Sequence, residues 1–133
     1  SVLHHELTHA LAMCGSTWLS EGLAVWVQRR LAPGPCFPDD VAASRAPARR
    51  SLADHLVEER DLRDRPKATR LSATDYREAG DYVAWLVSRF GLPTFGRIFD
   101  ACWVGVREPV DAVCRGIGFE SLRHLEREWR SCK

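Results

Sequence analysis

The 133-residue sequence contains no CxxC pair, which excludes zinc ribbons and thioredoxin-like redox motifs. An excess of charge of either sign is lacking too. With 19 basic against 18 acidic side chains the formal balance is only +1, so the electrostatic footprint of a nucleic-acid or anionic-membrane binder is missing. No apolar run reaches the roughly 18 residues of a membrane span, and no charged-then-apolar leader with a small-residue cleavage site is visible. Strand signals are nearly absent, nothing repeats at a fixed period, and no segment is of low complexity. The expected fold class is therefore mainly α, and bulk composition names no partner.

What is present fits one domain over residues 1 to 133, with 45% apolar and 28% charged residues, enough to close a core. The five cysteines, Cys14, Cys36, Cys102, Cys114 and Cys132, are an odd number. One reading pairs some of them in disulfides and points to a secreted or periplasmic setting; the other treats them as small buried hydrophobes. Leu3, Leu7, Ala10, Leu11 and Cys14 recur at helical spacing and predict a helix over residues 2 to 14 with that face in a core. Gly15 ends it. Ser16 or Thr17 then caps a second helix over 18 to 31, carrying Leu19, Leu23, Trp26, Val27 and Arg30 on successive turns, and the two make an αα-hairpin.

Four prolines and a glycine between residues 32 and 50 indicate a long irregular loop. Residues 51 to 70 carry mixed charges around Leu52, Leu56, Val57 and Leu62, the pattern of a short helix and a solvated connection. A helix over 74 to 90 is expected to turn Tyr82, Val83, Trp85, Leu86 and Phe90 inward and to stop at Gly91-Leu92-Pro93. Further helices are expected over 94 to 103, from Pro109 to about residue 118, and over 119 to 132. The helical neighbours of Trp18, Trp26, Trp85, Trp103 and Trp129 suit core burial, while His55 and His124 are expected to face solvent.

The chemistry-bearing stretch is HHELTHALAMCGSTWLSEGLAVW, residues 4 to 26. Within it His5, Glu6 and His9 form the pattern HExxH. Residues four apart share a helix face, so His5 and His9 can aim a ring nitrogen each at one ion. Glu6 sits about 100° round the helix from His5, beside the ion, where its carboxylate can take a proton from a bound water. Adjacent His4 is likewise about 100° from His5 and suits packing or a supporting contact better than ligation. A catalytic zinc takes three protein ligands and keeps a position for water, so one more donor is needed.

In the pattern HExxHxxGxxH, position 12 would be Gly and position 15 His, but the chain has Ala12 and Gly15. Glu21, separated from His9 by eleven residues and near the start of the second helix, is the leading candidate. Asp39 and Asp40 in the proline-rich loop are its rivals. At the frequencies of His and Glu in this chain, HExxH arises by accident in about one such sequence in a hundred, so its helical context and the trailing glutamate carry much of the weight.

The segment resembles the gluzincin branch of zinc metallopeptidases, whose members pair HExxH with a downstream Glu in phrases such as WLSEGLA. HELTHA is similar to the thermolysin-like form of the motif, and WLSEGLAVW to aminopeptidase-like and bacterial peptidase-MA-like members. YREAGDYVAWLVSRFG and GFESLRHLEREWRSC extend the likeness over most of the chain, although only residues 4 to 26 are specific. The resemblance implies one catalytic Zn2+ on His5, His9 and Glu21, Glu6 as general base and acid, and a peptide or protein substrate. In the aminopeptidase branch a tyrosine from a phrase like YEKG donates to the oxyanion. Tyr76 in YREAG is the nearest equivalent, with one more residue before Gly80, and Tyr82 is the alternative.

Gluzincins usually place a twisted sheet before the HExxH helix, and none precedes Ser1. The expectation is thus a zincin-like helical subdomain, the C-terminal part of a catalytic domain whose sheet-bearing half lies outside this chain. On that view the chain would bind zinc yet turn over poorly by itself, with some apolar surface of the first helix exposed. The alternative is an inactive peptide-binding or helical scaffold module with a structural metal, for which Cys14 or His4 would close the fourth position.

Overall fold

Six α-helices account for nearly all the described residues, which are 2–12, 16–31, 52, 71, 73–103 and 106–132 of a computed structural model. They are α1 (Val2–Leu11), α2 (Thr17–Leu31), α3 (Ala73–Phe90), α4 (Leu92–Ala101), α5 (Glu108–Gly116) and α6 (Leu122–Ser131). The protein is mainly α, and the described residues include no strand beyond an isolated Trp103–Val106 bridge. The expected loop over 32–50, most of 51–70, and residues 13–15 lie outside the described residues.

Local chemistry explains where the helices begin and end. Ser16 caps α2: its hydroxyl accepts from the Leu19 amide at 3.3 Å, filling one of the unpaired donors of the first turn. At the end of α3 the Gly91 amide donates to the Val87 carbonyl at 2.9 Å, and φ of 86° there is a conformation that glycine adopts without strain. α5 closes in a Schellman arrangement, with Phe119 N donating to Cys114 O at 3.0 Å and Gly118 at a φ of 95°. The Ser121 hydroxyl then accepts from the His124 amide at the start of α6, and Asp111 of α5 accepts from the Leu122 amide at 2.8 Å.

The core is assembled on α2 and α3, which share the most extensive interface of the molecule. Trp18, Leu19, Tyr82, Val83 and Leu86 are fully buried, joined by Ile98 of α4, Val110 of α5 and Leu122 and Leu125 of α6. The crossing is close because small residues stand at it. A β-carbon on Gly22 would lie 2.6 Å from the Ala79 carbonyl oxygen, and one on Gly80 would lie 2.6 Å from Cγ1 of Val25. The buried line of α2 accordingly includes Gly22, Ala24, Val25 and Gln28. Leu23, Trp26 and Val27, the bulkier residues that periodicity picks out, are only half buried, and Arg30 lays its guanidinium over the Trp26 ring at 5.3 Å.

α1 leaves exposed the apolar stripe that periodicity places in a core, in keeping with the expected apolar surface on this helix. Leu3, Leu7 and Leu11 are 64%, 48% and 86% exposed, while His5 and Thr8 are buried. The cause is which side meets α2, the element α1 packs against most. His5 stands about 200° round the helix from Leu3, so a packing that buries the histidine face turns the leucines outward. Trp103, also expected in the core, is 60% exposed beyond the end of α4. His124, expected in solvent, is half buried against Phe119 with ring centroids 5.2 Å apart.

Candidate metal centre

Two histidines from α1 and one glutamate from the first turns of α2 converge at the α1–α2 contact. His5 Nε2 lies 2.9 Å from Oε2 of Glu21, His9 Nε2 lies 3.1 Å from the same oxygen, and the two Nε2 atoms are 3.2 Å apart. Three atoms able to offer lone pairs thus form a nearly equilateral triangle. Tetrahedral ligands at bond lengths of 2.0–2.1 Å lie about 3.3 Å from one another, so the triangle is of the size that a small divalent cation needs. Among the described residues this is the cluster able to hold a metal ion.

The donors differ in exposure. The His5 side chain is 10% exposed, Glu21 18% and His9 28%, so the cluster is anchored at His5 and opens towards solvent on the His9 side. Burial pushes the Glu21 carboxyl pKa up, but the hydrogen bond to His5, the charges of His9 and His5 and the His9 hydrogen bond outweigh it, leaving the pKa below the usual value. Glu21 is therefore held as the carboxylate, the form that ligates. His9 Nδ1, on the far side of its ring, lies 3.1 Å from Oγ of Ser20.

Glu6 follows His5 on α1 and is exposed. Tyr76, in the first turn of α3, places its ring centroid 6.4 Å from that of His5. Burial raises the phenol's pKa, and the charges of Glu21 and Glu6 raise it further, so Tyr76 is a proton donor throughout the neutral range, with both carboxylates within its electrostatic reach. Tyr82, the alternative, is sealed in the core, 4.8 Å from Trp129 and 5.6 Å from Trp18 by ring centroid. The structure thus brings Tyr76, not Tyr82, to the His5 side of the cluster. His4 is not a member of it; its carbonyl accepts from the Thr8 hydroxyl at 2.8 Å.

Cys14, Asp39 and Asp40 lie outside the described residues. Cys102, Cys114 and Cys132 are free thiols. Ser20 is the residue of the site to which the sequence pattern assigns no role, although its hydroxyl stands directly before the glutamate ligand candidate. Comparison of the whole chain with known proteins brings no independent identification: no family model matches, and neither does any curated protein or solved structure at a significant level.

Proposed function

We propose that His5, His9 and Glu21 hold one catalytic Zn2+ and that the protein belongs to a peptide-bond hydrolase of the gluzincin type. The observation that carries this reading is the triangle of Nε2, Nε2 and Oε2 atoms, with sides of 2.9, 3.1 and 3.2 Å, built from HExxH and the trailing glutamate. Two imidazoles and one carboxylate are among the standard ligand sets of hydrolytic zinc, a set of three that leaves a position for water. When bound, zinc supplies a water acidified towards a pKa of about 7 and an electrophile for a carbonyl oxygen.

The remaining work falls to side chains of this protein. The Glu6 carboxylate, exposed and next to His5 on α1 but outside the ligand group, accepts a proton from the attacking water and returns it to the departing amine. The Tyr76 phenol, protonated at neutral pH and more so for its burial, donates a hydrogen bond to the oxyanion of the tetrahedral intermediate. His5 and His9 would each offer Nε2 to the ion, and the carboxylate of Glu21 would offset part of its charge.

The test is zinc titration of the 133-residue chain together with assay of peptide cleavage by the full-length protein in the presence and absence of a chelator. One zinc per chain is expected, lost in His5→Ala, His9→Ala and Glu21→Gln. Glu6→Gln should keep the metal and lose chelator-sensitive cleavage. A chain that takes up no zinc would refute the site, and cleavage surviving Glu6→Gln would remove that residue's role. A cobalt-substituted protein with thiolate absorption would favour a closed structural site instead.

A further inference from the structure

His9 is gripped at both ring nitrogens by consecutive residues of α2. Its Nε2 is 3.1 Å from Glu21 Oε2, and its Nδ1 is 3.1 Å from Ser20 Oγ. Ser20 is itself fixed in the helix, its amide donating to the Ser16 carbonyl at 3.0 Å, so its hydroxyl can reposition only by rotation about its own side-chain bonds. The two histidines do not need the same support. His5 is enclosed by packing, whereas the His9 side chain is 28% exposed and would otherwise be free to turn about χ2.

A neutral imidazole carries its single proton on one nitrogen and can ligate through the other. For His9 to ligate through Nε2, the proton must sit on Nδ1, and that N–H needs an acceptor facing it. A serine hydroxyl accepts as well as donates. It can therefore receive Nδ1–H while Nε2 holds a cation, and give its own proton to Nδ1 when Nε2 carries the hydrogen and faces Glu21. We infer that Ser20 is a positioning residue: its hydroxyl fixes the ring orientation and the Nδ1–H tautomer of His9 in the metal-bound state, and thereby sets the affinity of the site. The inference rests on the reading of His5, His9 and Glu21 as ligands. Removal of such supporting hydrogen bonds typically costs about 10- to 100-fold in metal affinity.

The experiment uses the 133-residue chain as wild type, Ser20→Ala and Ser20→Thr. Zinc affinity is measured by competition with a chromophoric chelator, helicity by circular dichroism, and the His9 Nδ1–H proton of the zinc-loaded protein by NMR. Expected are native helicity in all three, affinity lowered about 10- to 100-fold in Ser20→Ala, and affinity largely restored in Ser20→Thr. The Nδ1–H resonance should be sharp and slow to exchange in wild type and Ser20→Thr, and broadened by solvent exchange in Ser20→Ala. Wild-type affinity in Ser20→Ala, or an unchanged Nδ1–H resonance, overturns the inference and leaves the metal site standing. Equal weakening in both variants at native helicity also overturns it, since the hydroxyl would then be irrelevant. Wild type that binds no zinc defeats the metal reading and this inference together.

Discussion

Replacing Gly22 by alanine tests whether the close crossing of α2 and α3 sets the placement of Tyr76 at the candidate metal centre. An added β-carbon would meet the Ala79 carbonyl oxygen at 2.6 Å, its carbon at 2.8 Å and Cβ at 3.0 Å. Relaxed carbon–oxygen contacts begin at about 3.3 Å, so the helices must part by about 0.7 Å. The atoms in the way are helical backbone and cannot swing aside. Overpacking of this kind costs about 1–3 kcal/mol, partly offset by the gain of about 1 kcal/mol from alanine's helix propensity. The net expectation is a loss of about 1 kcal/mol, or about 4 °C in Tm.

Glu21 immediately precedes Gly22, and Tyr76 lies one turn before Ala79, so the same displacement spreads the site. Catalytic constellations tolerate displacements of only about 0.5 Å, so peptide cleavage should fall with stability as Tyr76 is drawn away, while His5, His9 and Glu21, all on α1 and α2, keep their affinity for zinc. Gly80→Ala is the control at the same crossing, where the obstructing atoms are the Val25 side chain and the tip of Arg29. Its cost should be smaller. Thermal and urea denaturation with assay of peptide cleavage measure both effects, and chelator-competition titration follows the zinc affinity. A Gly22→Ala protein that is more stable than wild type by the propensity gain alone, with unchanged peptide cleavage, would refute the reasoning.

Other consequences concern the donor, the caps and the thiols. Tyr76→Phe keeps the ring but removes the phenol, and should lower kcat for peptide cleavage by about 10²-fold or more with zinc affinity unchanged; an unaltered kcat would dismiss it as the oxyanion donor. Ser121→Ala, which deletes the hydroxyl accepting from the His124 amide, should cost about 1 kcal/mol in urea denaturation. Burial, followed by the charges of Asp111 and Glu126, pushes the Cys114 thiol up to about 12. At pH 8.5 it should resist alkylation in the folded protein while exposed Cys132 reacts, as peptide mapping after iodoacetamide can show. Because the folded state holds this proton more tightly, its contribution to stability is full below the ordinary thiol pKa of 9.0 and is lost as pH rises towards about 12. Constant stability over that window would contradict the assignment.

Much of the helical order is legible from residue types alone, because caps and stops are local. Ser16, Gly91 and Gly118 end or begin helices through hydrogen bonds within a few residues of themselves, and those bonds depend little on the rest of the chain. The pairing of His5 with His9 is likewise fixed by helix pitch. Glu21 is different: spacing can nominate it, but only the packing of α1 on α2 brings its oxygen to 2.9 Å from His5.

Which face a helix buries is a tertiary decision. On α1 the leucines would win by apolarity, yet the side that meets α2 is the one carrying His5 and Thr8, and Leu3, Leu7 and Leu11 stay exposed. On α2 the side chains at the crossing are small because backbone approach, rather than side-chain bulk, limits how near α3 can come. Tyr76 and Tyr82 are both tyrosines on one helix, six positions apart, and the sequence offers each as the donor. Their separation of about 240° round α3 sends one towards His5 and the other into the tryptophan-lined core. Sequence determined the types of the candidate donors and the helical frame that spaces them, since both are written in local periodicity. Tertiary structure decided their convergence, the tyrosine that accompanies them and the serine behind His9, because those depend on distances between helices that no local pattern encodes.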